Sequence, residues 1–225
     1  MNKPRLLDIC CAGGGCTRGY QKAGFYVVGV DIQDQPDYCG DEFFKADGLK
    51  FVEEHGEDFD FIHVSPPCQG YSTATRNNSP WVSYSQGKDT PRLIAPFREA
   101  LIKTGKPYVI ENVRGAKSHL INPVELCGSM FNLFIPRHRY FETSFELEQP
   151  HHPKCSGMAK RNSEILGFEY RDMSVTGKGR YKGTSERWKI LMGIDWNMSQ
   201  SNLAEAIPPA YTEWIGKQFL NIMKY

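Results

Sequence analysis

Short apolar runs that alternate with helix-like stretches constrain the fold of this chain most. Each run is nearly continuous in apolar residues, as in strands buried on both faces of a sheet. The candidate helices include Cys16–Ala23, Leu49–His55 and Arg92–Thr104. The candidate strands are Leu6–Cys11, Tyr26–Asp31, Phe43–Ala46, Asp60–Val64, Tyr108–Glu111 and Tyr140–Thr143. This order predicts an open, mostly parallel α/β sheet that binds ligands at the carboxyl ends of its strands.

The pattern changes after about Gln149. His151–Lys182 is rich in Gly, Lys, Arg and Ser and has weak periodicity, so we expect an irregular insert. Regular structure is predicted again at Trp188–Ile194 and in a last helix over Tyr211–Met223. A chain of 225 residues is long enough for one sizeable core with a small appendage.

Charge is unevenly distributed although the net charge is only +1. Residues 1–60 hold 6 Lys/Arg against 12 Asp/Glu, net −6, and residues 151–190 hold 9 against 4, net +5. A phosphate backbone would therefore meet the later segment. The alternative is a solvated loop that happens to be basic.

The composition favours a soluble, cytoplasmic protein that does not contact a membrane. The first apolar run is short and gives way to glycines, so it predicts a core strand rather than a signal peptide. No apolar stretch approaches the roughly 18 residues of a membrane span. Seven cysteines, an odd count, favour reduced thiols over a disulfide framework.

A glycine-rich turn follows the first predicted strand. Gly13, Gly14 and Gly15 would let the backbone approach a ligand, and Asp31 ends the next strand, where an acid usually holds a ribose diol. Arg18 stands where the dinucleotide fingerprint has its third glycine. The pattern therefore indicates an adenosine-containing ligand other than a dinucleotide, or else a tight turn that binds no ligand.

Three further patterns place reactive groups after predicted strands. Pro66-Pro67 would present Cys68 rigidly at the ligand edge, although a lone cysteine is more often a buried small hydrophobe. Glu111 emerges from an apolar strand and would suit a proton donor or a structural acid. Arg137 and Arg139 could hold an anion or a base carbonyl, or form a surface ion pair.

In this order, the patterns resemble the motifs of the cytosine-5 DNA methyltransferase family, in its compact, phage-type form. The resemblance covers nearly the whole chain, and P-P-C-Q followed by E-N-V is its most specific part. The matching residues are Asp8–Gly15, Asp31, Asp47, Pro66–Gln69, Glu111–Val113, Arg137 with Arg139, Gly193 and Pro208-Pro209.

The resemblance implies a role for each matching residue. Cys68 would add to carbon 6 of a flipped-out cytosine, Glu111 would contact ring nitrogen 3, and Arg139, with Arg137 beside it, would bind the base carbonyl. S-adenosylmethionine would donate the methyl group and leave as S-adenosylhomocysteine. Its site would comprise Cys10, Ala12, Gly13, Gly14, Gly15, Asp31, Ile32, Asp47, Gly48 and Pro66.

The resemblance also implies a Rossmann-like methyltransferase fold, with helices on both faces of a mostly parallel sheet and a small irregular recognition insert. We expect a catalytic and cofactor-binding core over 1–147, a basic target-recognition insert over 148–188, and a return to the core over 189–225. The expected substrate is double-stranded DNA in a prokaryotic or phage-infected cell, and the expected state is a monomer. So small an insert leaves room for few base contacts, which predicts short or relaxed sequence specificity.

The chain departs from the family pattern at several positions. Cys10 and Ala12 replace a usual Phe and Gly, Ala204-Glu205 replaces a usual Gly-Asn, and the Gln before the arginine pair is absent. Gly70–Pro91, with Trp81, is Ser/Gly/Asn-rich and is a candidate lid.

A small cluster of His151, His152 and Cys155 lies in the insert. No Cys-x-x-Cys partner accompanies it, and Cys127 would have to come from elsewhere in the chain. We therefore favour an ordinary polar loop over a structural zinc site and assign no metal ligands.

Two alternatives remain open at this stage. The same chemistry could act on RNA or on a free cytosine nucleotide, because the recognition segment is short. A protein of another class, a non-catalytic binder of nucleic acid or S-adenosylmethionine, is disfavoured because a binder has no need of Cys68, Glu111 and Arg139 together.

Overall fold

A computed structural model describes residues 3–71, 91–175 and 183–223. Its strands are β1 Arg5–Ile9, β2 Tyr26–Asp31, β3 Glu42–Lys45, β4 Phe61–Val64, β5 Tyr108–Asn112, β6 Val124–Leu126 and β7 Arg139–Thr143. Its helices are α1 Gly15–Ala23, α2 Gly48–His55, α3 Ile94–Thr104, α4 Met158–Leu166, α5 Ser185–Met192, α6 Gln200–Glu205 and α7 Pro209–Met223.

All seven strands form one sheet in the order β3-β2-β1-β4-β5-β7-β6. The first five in this order run parallel, whereas β7 is antiparallel to both of its neighbours. The carboxyl ends of β1, β2, β4 and β5 therefore share one edge of the sheet with the start of β7. This confirms the predicted mostly parallel sheet and explains how residues distant in sequence meet at that edge.

Helices cover both faces of the sheet, because successive residues of a strand point to opposite sides. Leu7 and Ile9 of β1 belong to a core with residues of α2 and α3. Leu6, one residue away, packs with residues of α1 and α7, including Tyr20 and Phe219. Strands covered on both faces have no polar side to show, so they read in sequence as continuous apolar runs.

Two glycines allow α1 and α7 to pack closely. A Cβ atom on Gly19 would lie 2.1 Å from the carbonyl oxygen of Pro209, and one on Gly216 would lie 2.8 Å from the Cβ of Ala23. Neither position has room for a side chain without moving the helices apart. The last helix is thereby fixed to the helix that follows the glycine-rich turn.

The expectation of an irregular insert was wrong for residues 158–166 and 170–173, which are helical, whereas residues 151–157 contain no helix or strand. Residues 158–166 form α4, which lies between Gly157 and Gly167, both in the left-handed region, and a 3-10 helix spans Tyr170–Met173. Met173 and Val175 join a third core with Trp188 of α5. The periodicity was weak because α4 buries only a narrow side, so few apolar residues mark it.

The other predicted elements differ from the structure mainly at their ends. The six predicted strands and the helices at residues 15–23, 48–55 and 94–104 are confirmed to within two residues. The short edge strand β6 was not predicted. Within the described ranges, no helix is both long enough and apolar enough to cross a membrane.

Candidate active site

Three of the predicted reactive groups come together where β4, β5 and β7 meet. Cys68 follows β4, Glu111 lies near the end of β5, and Arg139 begins β7. In the antiparallel register of β5 and β7, Glu111 is opposite Phe141. The reversed direction of β7 therefore brings its first residue to the carboxyl end of β5.

Glu111 and Arg139 form an ion pair in a nearly buried setting. The Nε of Arg139 lies 3.2 Å from Oε1 of Glu111. Only 5% of the Glu111 surface is exposed to solvent. That Oε1 atom makes no hydrogen bond within the described structure. Burial raises the pKa of the Glu111 carboxyl, while Arg139 and then Ser65 oppose the rise. An acceptor atom with spare capacity is thus kept in a nearly buried position.

Cys68 is held on a stiff loop that is tied to β5. The side-chain amide of Asn112 donates to the carbonyl of Pro66 at 2.9 Å, and the Tyr71 amide donates to the Cys68 carbonyl at 3.0 Å. The thiol itself is half-buried. Burial raises its pKa, the charge of Glu111 raises it further, and Arg139 lowers it. The thiol is therefore electrostatically coupled to the ion pair.

A buried polar chain leads from the core to Glu111, and sequence analysis did not detect it. The Tyr20 hydroxyl lies 2.8 Å from Nδ1 of His63, and Nε2 of His63 lies 3.1 Å from the Ser65 hydroxyl. Ser65 in turn lies close enough to Glu111 to lower the pKa of its carboxyl. Burial lowers the pKa of His63 to about 3, so its ring is neutral and one of its nitrogens donates. The one sign of this polar chain in the sequence was a histidine, His63, inside the otherwise apolar run of β4.

All three guanidinium nitrogens of Arg137 donate to backbone carbonyls, whereas Arg139 makes one such bond, from Nη1 to the His138 carbonyl at 2.9 Å. Arg137 donates to the carbonyls of Ala204 and Ala206, both at 2.8 Å, and to that of Val175 at 3.2 Å. Burial lowers its pKa to about 9. The Tyr211 hydroxyl donates to the Arg137 carbonyl at 2.9 Å. This arginine therefore joins the segment before α7 to the start of β7.

A second group of predicted residues lies at the carboxyl ends of β2 and β3. Oδ2 of Asp31 accepts from the Ala12 amide at 3.1 Å, and Oδ1 accepts from the Gln33 amide at 2.9 Å. Oδ1 of Asp47 accepts from two amides and caps α2, whose first residue is Gly48.

Features of this edge are compatible with an adenosine. Burial raises the pKa of the Cys10 thiol to about 12, and the charges of Asp31, Asp8 and Asp47 add to the effect, so the thiol lies among these acids. Ile32, beside Asp31, is 68% exposed. A carboxylate with remaining lone pairs next to an exposed apolar side chain suits a ribose diol and a flat ring.

The glycine-rich turn is covered by the chain itself. Gly14 has φ +87°, a conformation that favours glycine. A Cβ atom on Gly15 would lie 2.5 Å from the Ile207 carbonyl oxygen, and one on Gly13 would lie 3.0 Å from the Met198 side chain. The Trp196 indole donates to the Gly13 carbonyl at 3.1 Å. Backbone conformation favours glycine at Gly14 and packing requires it at Gly15, whether or not the turn also approaches a ligand.

Glu205 is electrostatically coupled to both groups and was not assigned a role from the sequence. Partial burial and then the charge of Asp31 raise the pKa of Glu205, and the charge of Glu205 raises the pKa of Cys68.

A cleft of about 700 Å³ opens elsewhere, between residues 33–37 and the segments around α5 and α6, and neither Cys68 nor Asp31 lines it. We assign the chemistry by the reactive groups rather than by this cleft. Trp81 and nearly all of the predicted lid lie outside the described residues.

Solved structures resemble this fold over almost its whole length. A DNA modification methyltransferase encoded within an E. coli prophage gives a TM-score of 0.61 at 13% identity, covering 99% of this chain and 100% of its own. The methyltransferase EhMeth of Entamoeba histolytica gives 0.59 and the Dnmt2 methyltransferase of S. pombe 0.60, each at 13% identity and over 100% of both chains. No protein-family model and no curated protein matches the sequence. The likeness shows that the fold is the Rossmann-like methyltransferase fold expected from the sequence.

The pKa of Cys68 should depend on Glu111. Replacing Glu111→Gln removes a negative charge that disfavours the thiolate, so the pKa of Cys68 should fall and its alkylation at neutral pH should become several-fold faster. The measurement is the rate of iodoacetamide labelling of Cys68 against pH, read by peptide mass spectrometry. Glu42→Gln, at the far edge of the sheet, should leave the profile unchanged. An identical profile for the wild type and Glu111→Gln would refute the coupling.

Arg137 should contribute mainly to stability. Arg137→Ala leaves three carbonyls without a donor, each costing about 1–3 kcal/mol, so the free energy of unfolding should fall by about 3 kcal/mol or more. Urea unfolding measures this directly. Arg161→Ala, which removes one exposed bond to Ser156, should change stability by less than about 0.5 kcal/mol. Equal stability of the two variants would contradict the anchoring role.

Proposed function

We propose that this protein is a DNA (cytosine-5)-methyltransferase that uses S-adenosylmethionine. The observation that carries the proposal is the meeting of Cys68 with the buried Glu111–Arg139 pair at one sheet edge. Methylation at carbon 5 of an unactivated cytosine requires three groups, namely a nucleophile, a carboxyl with an elevated pKa and a fixed cation. The methyltransferase fold supports this assignment.

The chemistry assigns a separate task to each of the three groups. The Cys68 thiolate forms a bond to carbon 6 of cytosine, and the ring electrons move toward carbon 5 and nitrogen 3. Glu111, when protonated, donates to nitrogen 3 and stabilises the developing charge. Nε of Arg139 faces Glu111 and Nη1 donates to the His138 carbonyl, so the N–H groups that remain on the guanidinium would bind the base carbonyl. Once carbon 5 is methylated, its proton passes to solvent, the bond to Cys68 breaks and the ring regains aromaticity.

The cofactor would occupy the edge formed by β2 and β3. When bound, S-adenosylmethionine supplies an electrophilic methyl group on a sulfonium. Asp31 would hold the ribose hydroxyls, Ile32 would cover the adenine, and Asp47 with Gly48 would contact the adenine amine. Cys10, Ala12, the three glycines and Pro66 would complete the wall.

The basic segment is our candidate for contact with the DNA backbone. We propose that residues 148–188 recognise the target, that residues 1–147 and 189–225 form the catalytic unit, and that a base is flipped from the duplex into the site. The enzyme would act as a cytoplasmic monomer. A module of this size would read few bases, and bisulfite sequencing would show short or relaxed sites.

RNA and free cytosine nucleotides are the alternative substrates for the same three groups. Both follow from the shortness of the recognition segment rather than from a particular contact. A non-catalytic binder would have no use for a thiol that is tuned by a buried ion pair.

A covalent trap tests the proposal. The wild-type protein and Cys68→Ala are incubated with S-adenosylmethionine and mixed-sequence duplex DNA that carries 5-fluorocytosine. Fluorine cannot leave as a proton does, so the wild type should remain joined to DNA on a denaturing gel. Cys68→Ala should give no adduct, and Cys39→Ala, which keeps Cys68, should trap as the wild type does.

Parallel arms separate the substrates. An adduct only with fluorinated RNA or nucleotide would overturn the DNA assignment while keeping the chemistry. Absence of every adduct, with cofactor binding confirmed by calorimetry, would establish a non-catalytic binder.

A further inference from the structure

Two cysteines and two histidines from three separate segments converge beside the active site. Cys127 follows β6, His138 precedes β7, and His152 and Cys155 lie at the start of the insert. One ligand atom from each residue lies within 4.8 Å of every other. Cys127 is thus the fourth group that the sequence cluster lacked, and His138 takes the place expected of His151.

The separations are close to those of a tetrahedral metal site. Bond lengths of about 2.0–2.1 Å to nitrogen and about 2.3 Å to sulfur place the ligand atoms of a zinc site roughly 3.3–3.8 Å apart. The Cys155 sulfur and Nε2 of His138 are already 3.5 Å apart. The remaining pairs need to close by no more than about 1.5 Å to complete the tetrahedron.

One buried polar atom in the cluster lacks a hydrogen-bond partner among the described residues. Nε2 of His152 is buried and has no hydrogen-bond partner in the described structure. Such an atom costs about 1–3 kcal/mol when it is left unsatisfied. A metal ion among the four side chains would satisfy it.

The surroundings also suit a cation with sulfur ligands. The Ser129 hydroxyl lies 3.2 Å from the Cys127 sulfur, to which it donates, and 3.3 Å from the Pro153 carbonyl in the loop that carries His152 and Cys155. A carboxylate oxygen of Glu125 lies 3.4 Å from His138 Nε2. The carboxylate places negative charge beside a cation, and the Ser129 hydroxyl connects one ligand sulfur to the loop that carries two of the other ligands.

We propose that Cys127, His138, His152 and Cys155 bind one structural zinc ion. Two thiolates and two imidazoles are a typical zinc ligand set, and four protein ligands leave no open position for catalysis. The site would join the insert to the sheet edge and fix His138, which lies between Arg137 and Arg139. The proposal does not depend on the function of the protein, since metal content is measured without substrate.

Zinc content tests the proposal directly. Tag-free protein, expressed with added zinc and purified without chelator, should hold about one zinc per chain by plasma mass spectrometry. His152→Ala and Cys155→Ser should each lower this to below about 0.2. The matched controls His151→Ala, at the exposed neighbouring histidine, and Cys39→Ser should keep the wild-type content.

Two measurements on the wild type avoid any dependence on variant folding. Cobalt exchanged into the protein should give the intense visible bands of a tetrahedral site and a sulfur-to-cobalt charge-transfer band. A strong chelator should lower the melting temperature, and added zinc should restore it. Folded wild type without zinc that also fails to take up cobalt would overturn the proposal, as would undiminished zinc in both His152→Ala and Cys155→Ser.

Discussion

The antiparallel placement of β7 against β5 is the constraint on which the site depends. In a fully parallel sheet, a residue at the start of a strand would lie at the opposite edge from Glu111. Reversal of β7 instead brings Arg139 to the carboxyl end of β5, where it pairs with Glu111 at 3.2 Å. A buried carboxylate without that cation would cost several kcal/mol or take up a proton. The ion pair thus depends on a feature of topology and tunes the thiol of Cys68.

A second constraint holds the site together from the other end of the chain. Arg137 binds the carbonyls of Ala204 and Ala206, and Ile207 packs against the glycine-rich turn. The segment before α7 therefore contacts both the start of β7 and the turn that follows β1. Glu205, in the same segment, affects the pKa of Cys68 and is itself affected by Asp31. The Cys68 thiol and the proposed cofactor acid are thus both electrostatically coupled to this segment.

Local patterns predicted much of this structure, and long-range contacts account for what they missed. The strands were recognisable because burial on both faces leaves continuous apolar runs, and Pro66-Pro67 marked the rigid loop of Cys68. The family resemblance gave Arg139 the base carbonyl, but the sequence could not show that Arg137 is an anchor, since the carbonyls that bind it lie as far as 69 residues away. Strand β6 is only three residues long, and α4 buries too narrow a side to give a clear period. Cys127 could not be joined to the His/Cys cluster before the fold was known.

The proposed zinc site extends the same reasoning to the insert. His138 is the residue between the anchoring arginine and the ion-pairing arginine, and its side chain points toward the Cys127–Cys155 cluster. A metal there would connect the residues proposed to contact DNA with the backbone that positions Arg139. The later part of the insert is already fixed by the third core, which contains Trp188 and Met173, whereas residues 151–157 contain no helix or strand. Four metal ligands would supply the rigidity that this stretch does not obtain from an apolar core.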